Sequence, residues 1–338
     1  MPKKVIQFLS RIIFLSVPGF VLALVFMEAA LRAFGYIPHY LNAKAFEPSQ
    51  VADMVYELRP SFEGLYAGAP ISVSALGFRG RETADEIGRA TLRIAVVGDS
   101  IAFGQGVRDG ETLSAQLAAR LRSRLSTDVA VVNLGVPGYD TCQEYGMFRE
   151  RAIPLKPQVA LLIYVDNDTD YPPPIQVRDG KIVSPDVRTG FVGDSMAALR
   201  KSSAAYNFLW SRWQVVKSQP ITIDEYRKML ARKFNDANPG WRRSRGCLHS
   251  FVELAKERSI RVTVIPFPTL RGFKENPYPF EGYVRTVCEA ARAEGAACLD
   301  VVPVLEHPTY PLRVSSGDPH PPAEVYRRIA EFLAPTLP

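Results

Sequence analysis

The stretch Val96-Val97-Gly98-Asp99-Ser100-Ile101-Ala102-Phe103-Gly104-Gln105-Gly106 (VVGDSIAFGQG) ends an apolar run, Leu92 to Val97, at a glycine. A short apolar run stopped by a turn residue predicts a buried strand. Ser100 would then lie just past that strand's carboxyl end, at the start of the next segment. Outward from it the same alternation repeats. Glu111 to Arg124 spaces Leu113, Leu117 and Leu121 every four residues, which predicts an amphipathic helix. Val129 to Leu134 reads as a second strand, Glu144 to Ile153 as a helix and Val159 to Val165 as a third strand. After an excursion at about 171–241 the rhythm resumes. Helix Gly246 to Arg258, strand Ile260 to Ile265, helix Tyr283 to Glu294, strand Ala297 to Val304 and helix Ala323 to Leu333 follow in turn. Strands separated by helices predict an α/β fold, a parallel sheet with right-handed crossovers covered on both faces. In such open sheets ligands bind beyond the carboxyl ends of the strands.

The flanks are less regular. Met1-Pro2-Lys3-Lys4 leads into an apolar stretch interrupted by Arg11, and Ile12 to Met27 carries no charge. With its neighbours the run reaches the length that spans a bilayer. Lys3, Lys4 and Arg11 on its amino-terminal side place that end in the cytoplasm by the positive-inside rule. Residues 1–34 are therefore expected to form a retained transmembrane anchor. A cleaved signal peptide is the rival, disfavoured by the length of the run and the lack of a small-x-small site before Glu28. Residues 35–90, rich in Pro, Gly and aromatics, are expected to be a linker and lead-in. The main domain is expected to span 91–338. Within the excursion, Asp179-Gly180 between two β-prone runs predicts a hairpin, and Ser195 to Lys217 an aromatic-rich helix, or two.

Composition is ordinary for a globular protein, 47% hydrophobic and 22% charged. A net charge of +6 is scattered rather than clustered, and no nucleic-acid motif is present. Cys142, Cys247, Cys288 and Cys298 have no zinc-ligand spacing, so no metal is expected. They leave open buried thiols, or disulfides with three connectivities for full pairing.

A second Gly-Asp-Ser occurs at Gly193-Asp194-Ser195. No strand precedes it, and Asp194 or Ser195 is expected to cap the helix it opens. The glycines around Ser100 match neither a P-loop nor the dinucleotide fingerprint. Other strand ends supply polar partners instead. Asn133-Leu134-Gly135-Val136-Pro137-Gly138 follows the second strand, Asp166-Asn167-Asp168 the third, and Asp318-Pro319-His320 precedes the last helix. All converge on one crevice if the sheet is parallel.

On these residues the chain resembles the GDSL-type, or SGNH, hydrolase family, over roughly residues 76–335. The four blocks map to Gly98-Asp99-Ser100, Gly135, Asn167, and Asp318 with His320. The Leu76-Gly77-Phe78-Arg79-Gly80 segment and the apolar amino terminus resemble its membrane-anchored members. Two positions depart from the pattern. Val165 stands where the family has glycine, and only Pro319 separates Asp318 from His320, where two residues are usual. The resemblance implies a flavodoxin-like three-layer sandwich and a serine hydrolase acting on an ester. Ser100 would be the nucleophile, His320 its base and Asp318 the group that orients the imidazole. Ser100, Gly135 and Asn167 would form the oxyanion hole. Of the four histidines, His39 is close to the membrane segment, His249 lies in a helix pattern, and His307 is a weaker second choice than His320. No cofactor is implied. The expected substrate is an acylated small molecule or carbohydrate, in the cell envelope if the anchor faces outward. Two alternatives share the fold: an O-acyltransferase with the same triad, and a non-catalytic glycan-binding or assembly protein.

Overall fold

The computed structural model describes residues 3–38, 42–170, 176–178, 181–183, 191–217, 221–306, 308–315 and 318–338. In chain order it comprises α1 (Lys3–Ala33), four short strands β1 (Phe46–Pro48), β2 (Tyr56–Leu58), β3 (Glu63–Tyr66) and β4 (Ala69–Ser72), and α2 (Ala84–Arg89). Then come β5 (Leu92–Gly98), α3 (Ser100–Phe103), α4 (Leu113–Leu125), β6 (Val129–Gly135), α5 (Thr141–Met147) and β7 (Val159–Tyr164). The excursion holds β8 (Gln176–Arg178), β9 (Lys181–Val183), α6 (Phe191–Ser202), α7 (Ala204–Lys217) and α8 (Ile223–Lys233). The chain closes with α9 (Pro239–Glu257), β10 (Arg261–Pro266), α10 (Glu281–Ala293), β11 (Ala297–Cys298), α11 (Val302–Leu305) and α12 (Ala323–Leu333).

Two compact units result, Met1–Tyr40 with Val187–Ser218, and Leu41–Asp186 with Gln219–Pro338. The larger is built on a five-stranded sheet of order β11-β10-β7-β5-β6, parallel throughout. Numbered within the sheet this is 2-1-3-4-5, the flavodoxin-like order, whose switch point lies between β5 and β7. Every residue of β6 and β7 is buried, as a sheet covered on both faces requires. Right-handed crossovers put α4 on one face and α5, α9 and α10 on the other. The packing agrees, α4 lying against α12 and α5 against α9. On the α5–α9 face Phe148 stacks on Phe251 with centroids 4.0 Å apart. Disulfides Cys142–Cys247 and Cys288–Cys298 tie α5 to α9 and α10 to β11, settling the pairing that sequence left open.

The segment expected to be a linker is structured from residue 42 onward. β1 pairs with β2 and β3 with β4, and Tyr56, Tyr66, Met54 and Phe78 are buried in the core. Strand Ala297 to Val304 shortens to two residues, because Asp300 accepts a hydrogen bond from Val302 N–H and starts α11. The hairpin strands β8 and β9 pair antiparallel, while its Asp179-Gly180 turn lies outside the described residues.

In the smaller unit α1 carries the one segment among the described residues long and apolar enough to cross a membrane, Ser16–Ala33. A helix of 31 residues is about 46 Å long, more than a bilayer's hydrocarbon core. Ser195 is corrected from a cap to a helix-interior position, since α6 already begins at Phe191.

Candidate active site

Where β5 ends, Gly98 can carry no side chain. A Cβ there would lie 2.7 Å from Ala102 Cβ and 2.9 Å from Ile163 O. Gly135, its register partner on β6, is under the same constraint, with a Cβ only 2.1 Å from Phe103 N. Two glycines side by side thus let the single turn α3 rest directly on the sheet, with Ser100 as its first residue. Asp99 caps that turn, its Oδ1 accepting from Ile101 N–H at 2.8 Å. Gly104, with φ of 85°, ends it in the left-handed region. The carbonyls freed there are held by Arg79, almost fully buried, whose guanidinium donates to Phe103 O (2.8 Å), Gly104 O (2.5 Å) and Val107 O (2.6 Å). Its charge is met by Asp109 Oδ1 at 3.2 Å. The Leu-Gly-Phe-Arg-Gly segment therefore clamps the loop that presents Ser100.

The segment before α12 delivers the partners. His320 Nε2 lies 2.9 Å from Ser100 Oγ, and His320 Nδ1 lies 2.5 Å from Asp318 Oδ1. The same Asp318 oxygen accepts the backbone N–H of His320 at 3.0 Å. A single intervening residue is enough because this tight turn folds the carboxylate back over its own histidine. Asp318 is buried and the imidazole mostly so. With Nδ1–H donating to Asp318, His320 has a bare Nε2 facing the serine. Gln105 Nε2 is 3.2 Å from Nδ1; turning the amide over would present its oxygen, the end that suits a protonated ring nitrogen.

Asn167 stands in the loop after β7, across the switch point from Ser100. Its Nδ2 donates to Asp99 Oδ2 at 3.2 Å, and the same oxygen lies 3.1 Å from Ser100 Oγ, a longer alternative to His320 Nε2 for the one hydroxyl proton. The amide has two hydrogens, so one is left for another acceptor. Burial pushes the Asp99 carboxyl up, opposed by the hydrogen bond from Ile101 N–H and by its neighbours His320, Asn167 and Ser100. The Asn167 loop is pinned from α8. Tyr226 OH donates to the Asp166 carboxylate, and Lys233 Nζ reaches Asp166 O at 3.1 Å and Asp170 Oδ1 at 2.6 Å. Asp168 Oδ2 accepts from Val165 N–H at 3.1 Å, and the valine that stands where glycine was expected is buried.

Ser100, Asp318, His320 and Asn167 are therefore brought together. Gly135 is near them, but its N–H donates to Asn133 Oδ1 at 3.0 Å. Three residues on, Gly138 has φ of 84° and its N–H has no acceptor among the described residues. His249 is elsewhere, paired with Glu294 at 2.7 Å, and His39 and His307 lie outside the described residues. Sequence reading missed Arg79, Gln105, Tyr226 and Lys233. Arg79 had a signal, an arginine in the glycine-flanked Leu76-Gly77-Phe78-Arg79-Gly80 segment ahead of the nucleophile's strand; the others had none. No group of three or more His, Cys, Asp or Glu suited to a metal occurs among the described residues.

A family model described as the GDSL-like lipase/acylhydrolase family matches residues 96–328. Solved structures with a similar fold include a variant of Axe2, an acetyl-xylooligosaccharide esterase from Geobacillus stearothermophilus, at 16% identity and TM-score 0.42, covering 72% of this chain and 93% of that one. A lipolytic protein of the G-D-S-L family from Desulfitobacterium hafniense is 14% identical with TM-score 0.40, covering 73% and 100%. A lipase/acylhydrolase from Enterococcus faecalis is 16% identical with TM-score 0.40, covering 73% and 98%. No curated protein matches the chain.

Proposed function

The chain belongs to the GDSL-like lipase/acylhydrolase family, an ester hydrolase by that membership, and we propose that it cleaves its ester through an acyl-enzyme on Ser100. The observation that carries this reading is the continuous relay from Ser100 Oγ through His320 to Asp318, at 2.9 and 2.5 Å. Ser100 Oγ attacks the ester carbonyl carbon while His320 Nε2 takes the hydroxyl proton. Asp318 stabilises the imidazolium without taking its proton. Collapse of the tetrahedral intermediate expels the alcohol, which leaves with the proton from His320. Water then attacks the acyl-enzyme with His320 again as base, releasing the carboxylic acid and restoring Ser100. For the oxyanion we assign the Ser100 N–H, the free hydrogen of Asn167 Nδ2, and the Gly138 N–H in place of Gly135, whose N–H is spent on Asn133. One such donor is worth about 3–4 kcal/mol of transition-state stabilisation.

The proposed location is extracytoplasmic, with α1 retained as an anchor and Lys3, Lys4 and Arg11 on the cytoplasmic side. Two disulfides suit an oxidising compartment. Retention is supported by Glu28, near the end of α1, whose carboxylate accepts from Ser203 Oγ (2.9 Å), Ala204 N–H (3.1 Å) and Ala205 N–H (2.8 Å). Cleavage of α1 would strip α7 of that cap. From this location we propose acyl or acetyl esters of a cell-envelope carbohydrate as substrate. A fluorophosphonate probe should label the full-length protein and not Ser100→Ala, with acyl-nitrophenyl ester turnover lost in parallel. Equal labelling or equal turnover of the variant would refute the nucleophile. Product analysis with a glycan acceptor present separates release of free acid from transfer.

A further inference from the structure

Of the large apolar side chains left exposed among the described residues, all but Ile221 belong to α1 and the turn after it, or to α6 and α7. On α7 they fall at helical spacing, Leu209, Trp213 and Val216, with Trp213 54% and Val216 78% exposed. On α6, Met196 and Leu199 are three apart in the same state. The opposite side of α7 is closed, with Ala204, Ala205 and Asn207 buried. The segment is also basic. Phe191 to Lys217 contains Arg200, Lys201, Arg212 and Lys217 against the single acid Asp194. Three of these cations stand over aromatic rings, Arg200 over Trp210, Arg212 over Phe208 and Lys217 over Trp213, at 5.3–5.8 Å from the centroids. An apolar stripe of Trp, Leu, Val and Met bordered by Lys and Arg has the chemistry of a helix lying in a headgroup region.

The position of that stripe is fixed by the contacts that bind α7 to α1. Glu28 caps the first turn of α7, and Arg32 pairs with Glu28 at 2.7 Å while donating to Ser202 O at 2.6 Å. Beyond the helix end, Tyr36 OH donates to Asn207 Oδ1 at 2.9 Å and its ring meets Phe208 edge-on. Glu28 is the first charge after the uncharged run Ile12 to Met27 and lies in the last third of the apolar segment Ser16–Ala33, so it marks the level at which α1 approaches the edge of the bilayer. The start of α7 is held at that level. We propose that α6 and α7 form a second membrane contact, an interfacial helix pair that lies on the same bilayer α1 crosses, inserting Leu209, Trp213 and Val216 among the lipids. This rests on the anchor reading of α1. It is favoured over a second copy of the chain by continuity with the membrane helix and by the basic border, which suits anionic headgroups and would repel its own copy.

The test uses tryptophan emission of the full-length protein in vesicles of phosphatidylcholine and phosphatidylglycerol, with and without bromine on the acyl chains. The chain has three tryptophans, and Trp241 is buried in the larger unit's core. Brominated lipid should quench the wild type, and quenching should vanish in Trp210→Phe/Trp213→Phe. A Phe20→Trp change in that double variant reports on α1 independently. Quenching at position 20 with none at 210 and 213, which then respond to iodide in the water, would overturn the interfacial pair and leave the anchor standing. No quenching at any of the three positions would overturn both. Loss of wild-type quenching together with a 213-to-213 cross-link between chains would assign the face to a second copy and equally refute the proposal.

Discussion

Glu144 offers a measurement of the buried charge beneath the Asn167 loop. It lies on α5 with no exposed surface, and neither carboxyl oxygen has a hydrogen-bond partner. Burial pushes its carboxyl well above the usual range, and the nearby Asp168, Asp99 and Asp140 push it the same way. Asp168 is raised too, by burial first and then by Asp99, against the hydrogen bond from Val165 N–H. An unpaired buried carboxylate costs several kcal/mol, so the fold favours the protonated form of Glu144. In the unfolded chain a glutamate ionises near pH 4.3. The folded value being the higher one, the stability this group contributes is fully present below that pH and is lost as pH rises towards the folded value. The loss runs at about 1.4 kcal/mol per pH unit for one proton between the unfolded and the folded value. Glu144→Gln keeps the shape and removes the proton from the balance. Its buried amide has a cost of its own, but that cost does not vary with pH, so the slope is the readout. Urea unfolding of the detergent-solubilised protein at unit pH intervals from 5 to 8 should show stability falling less steeply in the variant by that amount. Parallel slopes would show that Glu144 is already ionised in the folded protein and would refute the argument.

Asp318→Asn should leave fold and substrate binding intact but lower kcat by about 10⁴, because the amide favours the wrong imidazole tautomer; a steady-state assay with an acyl-nitrophenyl ester checks this, and a loss below tenfold would release Asp318 from the relay. Arg79→Met should cost about 3–5 kcal/mol by removing a donor from three buried carbonyls, Asp109 being partly exposed and still bonded to Ser72 N–H, read as a fall in Tm and in urea midpoint. An unchanged Tm would mean that the loop is held by its glycines alone.

What could be read in the sequence was whatever repeats with a period or is stopped by a strong turn residue. β5, β6, β7 and β10 are continuous apolar runs, and the expected and observed strands overlap almost residue for residue. The residues after them inherit their position from the parallel sheet, which is why Ser100 and Asn167 could be placed at one crevice from the sequence alone. Strands of three or four residues carry no period, so β1 to β4 were read as linker although Tyr56 and Tyr66 lie in the core. α8 was lost for a related reason. Its outward face is charged, and only Leu230 of its residues is fully buried.

The glycines show the sharper limit. A glycine in a sequence is a permission, and it does not say whether the space is used for packing or for an exposed N–H. Gly135 stands at the end of a readable strand and drew the oxyanion role, yet its lack of a side chain is required by the backbone of α3 and its N–H is satisfied by Asn133. Gly138 lies in an aperiodic loop, where only a left-handed φ and an unengaged N–H set it apart. The two can be separated by substitution. Alanine at 135 drives a methyl into Phe103 N, so it should displace α3 and lose fold and activity together. Alanine at 138 strains a left-handed φ of 84°, and should lower kcat while the urea midpoint moves far less. If the two variants lose activity and stability in the same proportion, Gly138 is a turn residue and the third oxyanion donor must come from elsewhere in the loop.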